Sequence, residues 1–316
     1  MRVLITGGGG FLGRKLIAAL LAGRSQLAVP DEILALDRVD GGFADPRVTA
    51  LVGELDDPGL LDRAFAGGID VVWHLAAAVS GECEADLDLG LTANLQGTLG
   101  LLQAARASGR VPRVLFASSL AAYGGPLPNP VVDATPITPD SSYGTQKAIG
   151  ELLVKDFSRK GLIDGVSLRL PTVSIRPGKP NKAASGFASG ILREPLSGQP
   201  SLCPVTPETR MALVSPRQAV DGLLKAASLP GEAFGPGRVM NQPGLSVTVA
   251  EMVAALVRAK GEAAAELIQW QPDPAVIALV DTWPQGVSSE RALAAGLRPD
   301  ADFDAIVQAH IEDELS

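Results

Sequence analysis

The chain opens on a short apolar run, Arg2-Val3-Leu4-Ile5-Thr6, and passes straight into four glycines, Gly7–Gly10, then Phe11-Leu12-Gly13. Few folds accept that order. The apolar run predicts a buried strand, the glycines predict a turn with no room for side chains, and Phe11–Ala22 predicts a helix. Glycines at 7, 10 and 13 allow a tight turn, close approach of backbone to a pyrophosphate, and close helix–strand packing. The N–H groups that open the helix, those of Phe11 and Leu12 among them, then face the phosphates together with the helix dipole.

Asp37 closes the next apolar run, Leu34-Ala35-Leu36-Asp37-Arg38, at the distance from the glycines where a carboxylate bonds the adenosine ribose. A carboxylate there repels a 2′-phosphate, which favours NAD over NADP. Arg38 is the one neighbour that would accommodate a 2′-phosphate if Asp37 turned away.

Short runs rich in Val, Ile and Leu continue to alternate with helical patterns. Strands are expected at Arg2–Thr6, Glu32–Leu36, Val48–Gly53, Val71–His74, Arg113–Ala117 and Val166–Arg169. Helices are expected at Phe11–Ala22, Pro58–Phe65, Asp86–Ala107 and Ser142–Arg159. Near-continuous apolar strands are covered on both faces, and strand–helix alternation makes right-handed crossovers. The expected fold is therefore α/β, a Rossmann doubly wound parallel sheet. After residue 170 prolines break the pattern, with helices at Pro216–Ala227, Val249–Lys260 and Phe303–Glu314 and a strand at Arg238–Asn241. That texture predicts a dinucleotide domain over 1–173 and a smaller C-terminal substrate-binding lobe over 174–316, the chain returning to the main domain around 212–242.

Lys plus Arg number 27 against 35 Asp plus Glu, a net charge of −8, which argues against nucleic-acid binding. An anionic substrate would need a local cation to overcome that field. Two histidines, His74 and His310, and two cysteines without ligand spacing, Cys83 and Cys203, argue against a metal site and against a disulfide framework. The N-terminus enters a strand without a signal-peptide pattern, and no later run is apolar enough to span a bilayer, so no membrane role and a cytoplasmic location are expected.

Tyr143-Gly144-Thr145-Gln146-Lys147 places a phenol and an ammonium four apart on one helix face. An ammonium there stabilises phenolate, so the Tyr143 pKa is expected to fall and make it a general base.

With these motifs stand His74-Leu75-Ala76-Ala77, Asn94-Leu95-Gln96-Gly97-Thr98, Ser118-Ser119 and Tyr123-Gly124. In this order and spacing, the set over residues 1 to about 178 resembles the extended short-chain dehydrogenase/reductase family, the NAD-dependent epimerases and dehydratases. The resemblance implies a cofactor groove that includes Leu75, Ala76 and Ala77, an adenine-contacting pair at Glu54 and Leu55, and Pro171, Thr172 and Val173 near the nicotinamide. It implies that Asn94 braces the region beside the catalytic helix as part of the cofactor site, and that Ser119 bonds the reacting oxygen, with Ser118 as the alternative. Tyr143 would transfer the proton, and Lys147 would hold the nicotinamide ribose. His74 reads as a strand-end residue with a structural hydrogen bond.

Outside the shared motifs, Ala76–Glu84, Arg176–Ser185, Pro272-Asp273-Pro274, Trp283-Pro284 and Ile311–Glu314 are similar to the D-erythronate dehydrogenase branch. That similarity implies NAD-dependent oxidation of a four-carbon sugar acid at C2. Its carboxylate needs cations and dipoles near the reacting carbon, and Ser80, Arg176, Asn181 and Lys182 are the candidates, with Lys179 and Arg210 behind them. The rivals are an NDP-sugar epimerase on the same fold, a dehydrogenase of another small hydroxy acid such as L-threonine, and a non-enzymatic NAD sensor. The helices around 86–107 and 142–159 match those that pair in related dimers, so a homodimer is expected.

Overall fold

The computed structural model describes residues 1–178 and 184–315. The strands in chain order are β1 (Arg2–Thr6), β2 (Glu32–Asp37), β3 (Val48–Val52), β4 (Val71–His74), β5 (Arg113–Ser119), β6 (Asp164–Leu170), β7 (Thr172–Val173), β8 (Ser201–Cys203), β9 (Arg210–Val214), β10 (Val239–Asn241), β11 (Leu245–Thr248) and β12 (Ile268–Trp270). Seven of them make one sheet in the order β3-β2-β1-β4-β5-β6-β10. Every pairing in it is parallel. The order reverses between β1 and β4, so the carboxyl ends of those two strands open a crevice at the switch point.

Helices α1 (Phe11–Leu21) and α8 (Pro216–Ser228) cover one face of this sheet, and α2 (Pro58–Phe65), α5 (Gly97–Ala107) and α6 (Ser142–Arg159) cover the other. The two faces carry separate apolar cores because the strands bury alternate side chains in opposite directions: Val3 and Ile5 face one core, Leu4 the other. Trp73 on β4 donates its indole N–H to the Leu223 carbonyl of α8 at 3.1 Å. The late return of the chain through α8 and β10 is thus packed into the main sheet.

A third core lies in the C-terminal part, among α7 (Phe187–Leu196), α9 (Val249–Lys260) and the helix Phe303–His310. There β9 pairs antiparallel with β11 and parallel with β7, and β8 pairs with β12.

Two expected helices differ from the structure. The stretch expected as one helix over 86–107 is α4 (Leu87–Gly90), a π-helical segment Leu91–Gln96, and then α5. Wider turns there rotate Asn94 into the interior, where it is buried. The last helix ends at His310 and gives way to a π-helical turn, Ile311–Leu315. Both cysteines are buried free thiols. Among the described residues, no helix is long and apolar enough to cross a membrane.

Candidate active site

A cavity of about 880 Å³ runs along the switch-point crevice and reaches under the C-terminal part. Its floor at one end is the glycine turn. Gly7 has φ +71°, and a Cβ there would lie 2.9 Å from the Ala76 nitrogen. A Cβ on Gly13 would come within 2.1 Å of the Gly7 carbonyl oxygen, so only glycine lets α1 start this close to β1. Gly7 and Gly8 donate to the Leu36 carbonyl, which ties the turn to the end of β2. The first turn of α1 has no side-chain cap and no acidic residue, so its N–H groups stay available to an anion. Asp37 borders the same end and accepts from the Gly9 N–H at 3.1 Å. Glu54 and Leu55 line the cavity as well. A cradle stripped of Cβ atoms, an uncapped helix start and a carboxylate beyond them together fit an adenine dinucleotide.

The other end is built by β5 and α6. Ser119, the last residue of β5, faces the cavity, and its Oγ accepts from the Ala121 N–H at 3.1 Å, which aims the hydroxyl proton elsewhere. Tyr143 and Lys147 come from the first two turns of α6, which Ser141 caps by accepting from the Gly144 N–H. Gly144 brings this helix close to the wall, since a Cβ on it would sit 2.0 Å from the Ala121 oxygen. Lys147 is buried; its Nζ donates to the Ala117 carbonyl at 2.9 Å and lies 5.6 Å from the Tyr143 ring centroid.

The expected fall in the Tyr143 pKa is corrected here. Burial pushes the phenol up to about 12, and a hydrogen bond from Ser119 and the charge of Arg176 oppose that shift without reversing it. The ammonium is turned to the Ala117 oxygen, and burial lowers Lys147 itself to about 8. Desolvation is the largest cause for both groups.

Leu75, Ala76, Ala77, Pro171, Thr172 and Val173 all line the cavity, as do Phe11, Leu12, Ser80 and Arg176. Among the described residues no carboxylate lies within ion-pair distance of the Arg176 guanidinium; the neighbouring Arg193 takes Glu194 instead. Burial and the nearby Arg193 lower the Arg176 pKa from its ordinary value. Asn181, Lys182 and Lys179 lie outside the described residues.

Three readings change. Asn94 is not in the cavity wall but behind it: its side chain accepts from the Ala78 N–H at 2.7 Å and donates to the Gln146 Oε1 at 2.7 Å. Ser118 is removed as an alternative to Ser119, because its hydroxyl donates to Glu151, whose carboxylate is held bidentately by Arg169. Arg210 turns away, to the Ser246 carbonyl and to Glu251.

His74 is a buried strut. Thr98 donates to the Asn94 carbonyl, so its oxygen accepts from His74 Nε2–H at 2.8 Å, and His74 Nδ1 accepts from the Thr6 hydroxyl at 2.7 Å. Burial, with the Lys147 charge second, lowers its pKa to about 3 and keeps it neutral.

Leu279, Trp283 and Pro284 close the cavity from the far end of the chain, and Met211 and Ala212 flank them. Only the Trp-Pro pair carried any sequence signal, because closure by a distant loop leaves no local pattern.

Residues 3–241 match the NAD dependent epimerase/dehydratase family. A protein of Cupriavidus necator named D-erythronate dehydrogenase is 51% identical over 99% of this chain and 98% of its own length. A Haemophilus influenzae protein of the same name is 43% identical over the full length of both. The crystal structure titled as a nucleoside-diphosphate-sugar epimerase from Agrobacterium tumefaciens superposes with a TM-score of 0.93 at 43% identity, covering 100% of this chain and 94% of that one.

Proposed function

The chain belongs to the NAD dependent epimerase/dehydratase family, and from that premise we propose that it is an NAD-dependent dehydrogenase oxidising the C2 hydroxyl of D-erythronate to 2-dehydro-D-erythronate. The observation that carries the reading is Arg176. It is a guanidinium without a carboxylate partner among the described residues, and it lines the same cavity as Ser119, Tyr143 and Lys147. A planar guanidinium binds a carboxylate in two parallel hydrogen bonds, which would hold a short acid by one end and leave its C2 hydroxyl to the serine and tyrosine.

In that arrangement Ser119 Oγ donates to the reacting oxygen, its hydroxyl proton being directed away from the Ala121 N–H from which it accepts. Tyr143 Oη accepts the hydroxyl proton. Lys147, charged at neutral pH, stabilises the phenolate form of Tyr143 that takes this proton, and its burial removes the water that would otherwise screen it. NAD, held by the glycine turn, Asp37 and the wall at Leu75–Ala77, supplies the hydride acceptor when bound. Pro171 and Val173 line the cavity wall.

The homodimer and the location belong to the same reading. Leu87 and Leu89 of α4 are exposed, α4 packs beside α6, and Leu152 of α6 is exposed too, which supports pairing of these helices with a second copy. Two unpaired thiols are compatible with a reducing, cytoplasmic compartment.

The test is NADH absorbance with purified protein, NAD, and D-erythronate, D-threonate, L-threonate, L-threonine and NDP-sugars in turn. Selective net NADH with D-erythronate supports the proposal. Epimerisation of an NDP-sugar without net NADH, and silence with every acid, would replace it with a closed hydride cycle on the same residues.

A further inference from the structure

The buried amide of Gln146 stands between the two residues of the catalytic pair. It is 2% exposed, one position before Lys147 and three after Tyr143. Its Oε1 accepts from Asn94 Nδ2 at 2.7 Å, and its Nε2 is buried with no hydrogen-bond partner among the described residues. That orientation is dictated from outside. The Ala78 N–H donates to Asn94 Oδ1, so the other end of the Asn94 amide must be the NH₂ group, and only an oxygen of Gln146 can meet it. Turning Gln146 over would set donor against donor. Gly90 makes room, since a Cβ there would lie 2.5 Å from Gln146 Nε2.

A buried donor without an acceptor is a cost that natural interiors avoid, and where one persists it asks for a reason. Adjacent residues of a helix project about 100° apart around its axis, so pinning Gln146 fixes the azimuth of Lys147. Asn94 holds the other side of the cleft as well. It accepts from the Ala78 N–H and donates to the Ala78 carbonyl, and its own carbonyl continues through Thr98, His74 and Thr6 to the Ala76 N–H. Ala76 and Ala78 both line the cavity.

We infer that Gln146 is a positioning residue: through Asn94 it sets the rotation of α6 against the loop 75–79 and so places Lys147 and Tyr143 relative to the cofactor wall. The inference rests on the dehydrogenase reading for its kinetic arm only.

The experiment compares Gln146→Met and Gln146→Glu with the wild-type full chain. Methionine keeps much of the volume and removes both the acceptor and the unpaired donor; Asn94 Nδ2 keeps the Ala78 carbonyl and the Cys83 sulfur. Glutamate retains an acceptor oxygen for Asn94. For Gln146→Met the Tm should be no lower than wild type. With D-erythronate, kcat should fall about tenfold, as expected for misplaced reacting groups. KM should stay within about twofold. Gln146→Glu should recover kcat to within about threefold, since the tether to Asn94 is kept.

The second readout is the Lys147 titration followed by NMR of ¹³C-labelled lysine side chains, with the resonance assigned by its loss in Lys147→Met. Its midpoint should move by at least about half a pH unit in Gln146→Met as the surroundings of the ammonium change. Wild-type kcat with an unmoved Lys147 midpoint overturns the assignment. So does a loss of kcat that tracks a fall in Tm and is shared by Gln146→Glu. The titration needs no substrate, so a wild-type protein inert towards D-erythronate would sink the substrate reading while the Lys147 midpoint still decides the role of Gln146.

Discussion

Replacing Lys147 with methionine should make the protein more stable at neutral pH while abolishing turnover. Lys147 is 3% exposed, and its ammonium donates to the Ala117 carbonyl at 2.9 Å, lies 4.8 Å from the Phe116 ring centroid, and has no carboxylate at ion-pair distance among the described residues. Burial lowers its pKa from 10.5 to about 8. A displacement of that size corresponds to roughly 3 kcal/mol by which folding disfavours the charged lysine at neutral pH. Below pH 8 both folded and unfolded chains carry the proton and the full penalty applies. Between 8 and 10.5 the unfolded chain still holds a proton that the folded chain has released, so stability rises with pH across that window. Lys147→Met removes the charge and costs about 1 kcal/mol for the donor lost at Ala117.

The variant is therefore expected to be about 2 kcal/mol more stable at pH 7, with the advantage shrinking steadily towards pH 10. Urea unfolding of both proteins at pH 7 and pH 9.5, at one protein concentration and without added NAD, measures the difference, provided the m-values agree. Work above pH 10 is avoided because Tyr143, raised from 10 to about 12, retains its proton in the folded state there and pulls stability down as pH rises. A stability difference that is the same at both pH values, or a variant less stable at pH 7 alone, would show that burial of the Lys147 charge does not cost the fold this energy.

Three further outcomes follow from the same geometry. Tyr143→Phe should lower kcat by about 10²- to 10⁴-fold with folding intact, read from NADH formation beside circular dichroism. Since the phenol is held at about 12 and must lose its proton, kcat/KM for oxidation should climb from pH 6 and bend over near pH 8, where Lys147 sheds its charge; a fall across that range would contradict the assignment. Arg176→Gln should reduce kcat/KM for the acid by about 10- to 100-fold, the worth of a charge-assisted hydrogen bond, while the Kd for NAD by calorimetry stays put.

Much of this was legible in the residues. The glycine turn, Asp37 and the Tyr143–Lys147 spacing are local patterns with local causes, and the parallel sheet follows from apolar strands alternating with helices. What stayed hidden depends on balances and directions. The spacing of Tyr143 and Lys147 says that they attract, but whether attraction or desolvation prevails depends on burial that spacing does not encode. Asn94 looked like a residue on a regular helix; the π-helical segment turned it behind the wall and onto Gln146. Arg176 was the candidate cation and Arg210 the weaker one, since nothing in the sequence fixes its direction; the fold turns Arg210 to Glu251 and leaves Arg176 in the cavity. The contact of Leu279 and Trp283 with a crevice built by the first half of the chain is long-range and carries no periodic signature.

The central claim is that the cavity removes hydride from C2 of a four-carbon acid and does not return it. D-Erythronate carrying deuterium at C2, incubated with the protein and NAD, tests it most directly, with mass spectrometry of the isolated nicotinamide product and the acid. One deuterium is expected in NADH per molecule of 2-keto acid formed. Deuterium retained in the recovered acid, with no labelled NADH and no keto acid, would contradict it.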